Sequence, residues 1–267
     1  MASDKKEERK NPWDKTSKAS DLHRLQKLKA LIYGPSGSGK SRIASLFNRV
    51  LIGVTEHQAI PTIAETNPNA IVKLISNSQE LREFKEMICD PSLPEKVDAV
   101  CLDSLTDAQR ILKAFYLAKQ SSGGETMEIA SWGLLVDSTA RLAREVRDLP
   151  VHVIVTCLSE EESVTGVGVT HRPAVYGKRL PNDLAQYFNL VGFTHVNEYE
   201  RGMRHEVMFR GSDRWLTKGM TKLDNVEPPE PLLWISKVFG EELDEETQNR
   251  VKAWHKTAIP LDMKEEE

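Results

Sequence analysis

One stretch of twelve residues constrains this chain more than any other. Ala30-Leu31-Ile32-Tyr33-Gly34-Pro35-Ser36-Gly37-Ser38-Gly39-Lys40-Ser41 is a short apolar run that enters a glycine-rich loop and leaves it as a helix. The last eight residues fit the pattern G-x-x-x-x-G-K-[ST], a phosphate-binding loop or Walker A motif. Its glycines let successive N–H groups turn inward around a polyphosphate, and the following helix adds its positive N-terminal end. Lys40 then reaches the β- and γ-phosphates, and the Ser41 hydroxyl joins the shell of a Mg²⁺ ion. A loop of this kind needs a strand before it and a helix after it, so it already predicts an α/β fold.

The rest of the chain agrees with such a fold. Val50–Val54 and Val151–Thr156 are continuous apolar runs, as strands covered on both faces require, and Ile71–Ile75 is a third, shorter run. Between them lie helical patterns: one opened by Asn77 or Ser78 as a cap, one over Leu105–Lys119, and a long one from Trp132 to Leu149 that Pro150 closes. Leu190–Val196 and Glu206–Arg210 read as an antiparallel hairpin turned around Arg201-Gly202, and a last helix carries Leu232 to Phe239. Ser159 to Pro181 reads as a long loop, acidic at Glu160–Glu162 and basic at His171, Arg172, Lys178 and Arg179.

With 267 residues, the simplest division is one large domain over residues 21–240, preceded by a polar, locally basic arm (1–20) and followed by an acidic tail (241–267). The formal net charge of −4 predicts no global attraction to nucleic acid or anionic membrane, so any contact with DNA must come from a local patch. Cys89, Cys101 and Cys157 form no C-x-x-C pair and read as reduced core thiols. No signal-peptide core and no membrane-length apolar run is present, which points to the cytoplasm.

Two further strand ends carry chemistry. Val97-Asp98-Ala99-Val100-Cys101-Leu102 runs into Asp103-Ser104, an apolar strand ending in an aspartate downstream of the phosphate loop. This is a Walker B element, whose carboxylate holds Mg²⁺. Val151–Thr156 delivers Thr156 to the same side, where a hydroxyl can sense the γ-phosphate or the attacking water.

With these motifs in place, the segment Val54-Thr55-Glu56-His57 resembles the strand of RecA-type recombinases that ends in an acidic pair followed by histidine. The two Walker motifs, the Trp132 helix and the strand ending in Thr156 make residues 28–240 similar to the phage-type RecA-core ATPases associated with single-strand annealing and recombination. The resemblance implies a RecA-like core: a mostly parallel sheet with helices on both faces and an antiparallel hairpin on the C-terminal side. It implies ATP and Mg²⁺ as cofactors, Glu56 as general base, Asp103 as the Mg²⁺ carboxylate and Thr156 as sensor. It also implies assembly into a homo-oligomeric ring or filament and binding of single-stranded DNA through the loops at 120–131 and 159–181. The first of these loops contains no cation, so DNA contacts would fall to His171, Arg172, Lys178 and Arg179. Lys178 and Arg179 are also the candidates to act on a neighbouring subunit's nucleotide. The chain departs from the family in one place: Val54 stands where an aspartate is common.

Two other readings use the same loop. A small-molecule or nucleotide kinase would pass the phosphate to a bound acceptor, with Arg172, Lys178 and Arg179 as its lid, but Glu56 is placed to activate water. A nucleotide-gated DNA-binding scaffold would bind ATP with little turnover. A GTPase is disfavoured, because no apolar strand precedes Thr221-Lys222-Leu223-Asp224 and Asp103-Ser104-Leu105-Thr106 lacks the expected glycine.

Overall fold

The computed structural model describes residues 16–17, 26–120, 126–199 and 202–257. Most of the N-terminal arm, the glycine pair at 123–124, the turn residue at 201 and the end of the acidic tail lie outside these ranges. The described chain opens with β1 (Lys29–Gly34), α1 (Lys40–Ser45), β2 (Val50–Val54) and, through a single 3₁₀ turn, α2 (Ile60–Thr66). Next come β3 (Ile71–Leu74), α3 (Ser78–Ile88), α4 (Leu93–Lys96), β4 (Ala99–Asp103), α5 (Leu105–Lys119) and α6 (Ile129–Arg147). The second half holds β5 (His152–Val164), β6 (Gly168–Pro173), α7 (Leu180–Tyr187), β7 (Leu190–Tyr199), β8 (Gly202–Met208), β9 (Val226–Glu227), α8 (Pro231–Phe239) and α9 (Glu245–Thr257).

The main sheet runs in the order β3-β2-β4-β5-β1-β7-β8-β9. Its strands from β3 to β7 are parallel, and β8 and β9 add antiparallel pairings at the far edge. The fold is therefore the α/β arrangement read from the sequence: a mostly parallel sheet between helices, with an antiparallel hairpin on the C-terminal side. Strand alternation divides the core into two layers. Leu31, Tyr33, Val100, Leu102, Val153 and Val155 face one way, onto α3, α5, α6 and α7. Ala30, Ile32, Cys101 and Ile154 face the other way, onto Ile43 and Phe47 near α1, Ile63 of α2 and Trp234 of α8. Local chemistry sets the helix starts. Asn77 accepts from the backbone N–H groups of Gln79 and Glu80, and Ser104 accepts from that of Asp107, satisfying amides that the first turn leaves open.

Three expectations need correction. The stretch 159–181 is not one loop: β5 continues to Val164, turns, and returns as β6, after which α7 begins. Its charges hide the hairpin, because Glu160 and Glu162 lie on one face and both bind Arg172, at 2.7 and 2.6 Å. Cross-strand ion pairs replace the apolar alternation that marks a strand in sequence. Residues 241–267 include α9, which is anchored to the body by Arg250 and Trp254. Among the cysteines, Cys101 and Cys157 are buried thiols as expected, while Cys89 is exposed at the end of α3. No helix among the described residues is long and apolar enough to cross a membrane.

Candidate functional site

All the parallel strands that matter end on the same side, and their carboxyl ends surround a cavity of about 420 Å³. Ser36, Gly37, Gly39, Lys40 and Ser41 form one wall. Gly37 and Gly39 have φ of +77° and +94°, the left-handed region closed to most side chains, and so turn the loop's amides inward. Gly34 is required for a different reason. A Cβ there would lie 2.3 Å from Thr194 Oγ1 and 2.4 Å from the Thr194 carbonyl oxygen on β7. Ser38 closes the loop onto the same neighbour, its hydroxyl 2.6 Å from that of Thr194 and 2.8 Å from the Pro35 carbonyl to which it donates. Pro35 contributes that carbonyl and does not line the cavity.

Lys40 is buried and donates to the carbonyls of Gly34 and Pro35 at 2.9 and 2.7 Å. Burial lowers its pKa, and the negative charges of Asp103 and Glu56 partly offset this. Both carboxylates line the same cavity as Lys40.

β5 lies between β1 and β4, so the strands carrying the two Walker motifs do not touch each other. Thr156 of β5 is fully buried and does not line the cavity. Its hydroxyl lies 2.5 Å from Asp103 Oδ1. The sequence suggested a hydroxyl aimed at the γ-phosphate; in the fold it is bonded to the Asp103 carboxylate instead. Asp103 is 5% exposed, and its other oxygen, Oδ2, is buried with no hydrogen-bond partner. A buried carboxylate oxygen left unpaired is costly unless a cation completes it. Among the described residues no group of three or more His, Cys, Asp or Glu forms a metal cage. One carboxylate with the Ser41 hydroxyl is the donor set of a hard cation that keeps waters and phosphate oxygens as its remaining ligands, so the residues fit Mg²⁺.

Glu56 lines the cavity where β2 ends. A set of short bonds ties β2 to β4 there: the Thr55 N–H donates to the Asp103 carbonyl at 2.8 Å, and the Ser104 N–H donates to Thr55 Oγ1 at 2.8 Å. The Asp103–Ser104 peptide is cis. Ser104 Oγ donates to Glu56 Oε1 at 3.2 Å and lies 3.4 Å from Asp107 Oδ2. A hydrogen bond with Asp107, burial, and the nearby charges of Asp107 and Asp103 push the Glu56 pKa up to about 7. Burial also pushes Asp107 upward, but its bonds to Glu56 and Arg110 outweigh this and hold it low.

The site also involves residues the sequence reading did not single out: Asp107, which touches Glu56 from outside the cavity lining, and two that line the cavity itself. Asp107 follows Ser104 by three, the spacing of a capping box, and that signal was available. Arg42 and His205 line the cavity as well. His205 lies on β8, opposite Val196 in the hairpin read from the sequence, and reaches the phosphate loop because β7 pairs with β1, a non-local pairing for which no local signal exists. The cations expected to act at DNA or in a neighbour are elsewhere. Arg172 is paired within the β5–β6 hairpin, and Lys178 and Arg179 stand exposed before α7, outside the cavity lining.

Among solved structures, the chain is similar to the flagellar accessory protein FlaH from Methanocaldococcus jannaschii, at 10% identity and a TM-score of 0.36, over 71% of this chain and 82% of that one. No curated protein matches the sequence. A family model described as an AAA domain matches residues 26–221, which takes in both Walker motifs, Glu56 and Thr156. This match over most of its length, together with the phosphate loop, shows that the chain belongs to the AAA domain family, a P-loop nucleotide-binding protein.

Proposed function

We propose that this protein is a cytoplasmic, Mg²⁺-dependent ATPase of RecA type that works as a homo-oligomer and couples hydrolysis to single-stranded DNA in annealing or recombination. The observation that carries the catalytic part is the meeting in one cavity of the phosphate loop with Lys40, the unpaired Asp103 Oδ2, and a carboxyl group, Glu56, whose pKa lies near neutrality. Mg²⁺, held by Asp103 and Ser41, would supply neutralising charge to the phosphate oxygens. The loop's backbone N–H groups and Lys40 stabilise the charge that builds on the transferring phosphoryl group. Glu56 orients a water and accepts its proton at a carboxylate oxygen. Thr156 fixes the orientation of Asp103 through Oδ1 and leaves Oδ2 for the metal. The coupling to DNA and to neighbouring subunits rests on the resemblance of the Walker motifs, the Glu56 strand and the Thr156 strand to RecA-core proteins. The exposed Lys178 and Arg179 are the cations this reading assigns to it.

The test is steady-state ATP hydrolysis by the full chain, with and without single-stranded DNA. The parent is compared with Lys40→Ala, Glu56→Gln and the Lys178→Ala/Arg179→Ala pair. Both site substitutions should abolish turnover, DNA should raise it, and the paired substitution should remove the DNA effect. A Glu56→Gln protein as active as the parent would remove the hydrolytic role. DNA that changes neither rate nor mobility would remove the coupling.

A further inference from the structure

The nucleotide cavity extends beyond the phosphate loop on the side away from the hydrolytic carboxylates. Asp103 ends β4, two strands to one side of β1, and His205 sits on β8, two strands to the other side. At ~4.8 Å per strand, the cavity lining spans roughly 19 Å across the sheet. The loop lies in the middle. The imidazole of His205 rests on Gly39, its Nδ1 3.1 Å from where a Cβ would stand, and Arg42 projects from α1 into the same end. If the terminal phosphate lies beside Glu56 and Asp103, the α-phosphate and sugar of a nucleotide must point toward β8. An imidazole and a guanidinium there have the chemistry to bind a phosphate oxygen and a sugar hydroxyl.

Both residues are held from behind by α9. The Trp254 indole N–H donates to the His205 carbonyl at 2.8 Å. The same ring carries the Arg204 guanidinium 3.9 Å from its centre, and Arg204 is in turn bonded to the buried Glu206. The second tie runs through Glu230, a buried carboxylate at the start of α8. Arg42 reaches it at 3.2 Å, and Arg250 of α9 reaches it at 3.0 Å. Each tie joins α9 to one cavity residue by a bond in which a donor is directed at a carbonyl or a charge.

We propose that His205 and Arg42 bind the α-phosphate and sugar half of the nucleotide, and that α9 positions them through Trp254 and Glu230. The inference rests on the nucleotide-binding reading above and goes beyond it, because it assigns the non-reacting half of the ligand to the C-terminal part of the chain. By linkage, a ligand that engages His205 and Arg42 also stabilises the docked position of α9.

The experiment measures equilibrium binding of ADP and of pyrophosphate to the full-length chain in Mg²⁺ buffer. Pyrophosphate fills the phosphate loop but lacks the sugar half. His205→Ala should weaken ADP by about thirtyfold, the loss of one hydrogen bond to a charged group, and leave pyrophosphate within about twofold. Trp254→Phe keeps an aromatic ring beside Arg204 but lacks the N–H, and should weaken ADP in the same selective way. ADP should slow amide hydrogen exchange in α9 of the parent, and pyrophosphate should not. Equal weakening of both ligands, or unchanged ADP binding in both variants, overturns the proposal. A parent that binds pyrophosphate no better than Lys40→Ala overturns the nucleotide reading, and the inference with it.

Discussion

Replacing Thr156 by valine tests whether this hydroxyl acts through Asp103 or directly on substrate. The substitution conserves shape at a fully buried site and removes the 2.5 Å hydrogen bond to Asp103 Oδ1, together with a long 3.5 Å contact to the Leu102 carbonyl. Because Oδ2 is already unpaired, the variant leaves a buried carboxylate without a partner of its own. A hydrogen bond to a charged group contributes about 2 kcal/mol, so kcat/KM should fall about thirtyfold. The same loss of stability would lower the melting temperature by several degrees, at roughly 2–4 °C per kcal/mol for a chain of this size. Thr156→Ser should recover most of both. The decisive assay is a double-mutant cycle on ATP hydrolysis with Asp103→Asn as the second change. If Thr156 works only by orienting Asp103, Thr156→Val should cost less than about threefold once Asp103 is gone. An equal cost in both backgrounds would refute the reasoning and return Thr156 to a direct sensing role.

Two further outcomes follow from the site. Glu56 accepts a proton only when ionised, and its pKa is raised to about 7, so turnover should climb through roughly pH 6 to 8. Asp107→Asn removes the neighbouring charge that favours protonated Glu56, and should move this limb toward acid by roughly one pH unit; a limb that stays in place assigns it to another group. Gly34→Ala should abolish nucleotide binding, measured by titration calorimetry, because the new Cβ meets both the hydroxyl and the carbonyl of Thr194. Adding Thr194→Ala should not restore binding, since the carbonyl at 2.4 Å remains; recovery would show that the clash was with the hydroxyl alone.

Much of this arrangement was legible in the sequence, and the part that was not has identifiable causes. Strands covered on both faces, such as Val50–Val54 and the first half of β5, announce themselves by unbroken apolar character. The phosphate loop and Asp103 carry their chemistry in their spacing. The outer half of β5 and all of β6 are stabilised by Glu–Arg pairs across the strands, which in one dimension look like a charged loop. α9 shows the same problem in helical form: the acidic residues that flank it in sequence mask Arg250 and Trp254, which dock it. His205 reaches the phosphate loop because β7 lies beside β1, and Thr156 meets Asp103 because β5 lies beside β4. Both are properties of sheet order, and no local pattern encodes sheet order.

The length of β5 has a mechanical meaning. The strand begins between β1 and β4, passes Thr156 beside the Asp103 carboxylate, and continues eight residues to Val164 at the exposed end of the hairpin. At ~3.3 Å per residue, that is roughly 26 Å of unbroken extended chain. Its inner part is clamped by parallel hydrogen bonds on both sides, while its outer part has one partner, β6. Such a member behaves as a cantilever with its fixed end in the catalytic sheet. A load applied to the free end is felt at the root, where the Thr156 hydroxyl is bonded to Asp103.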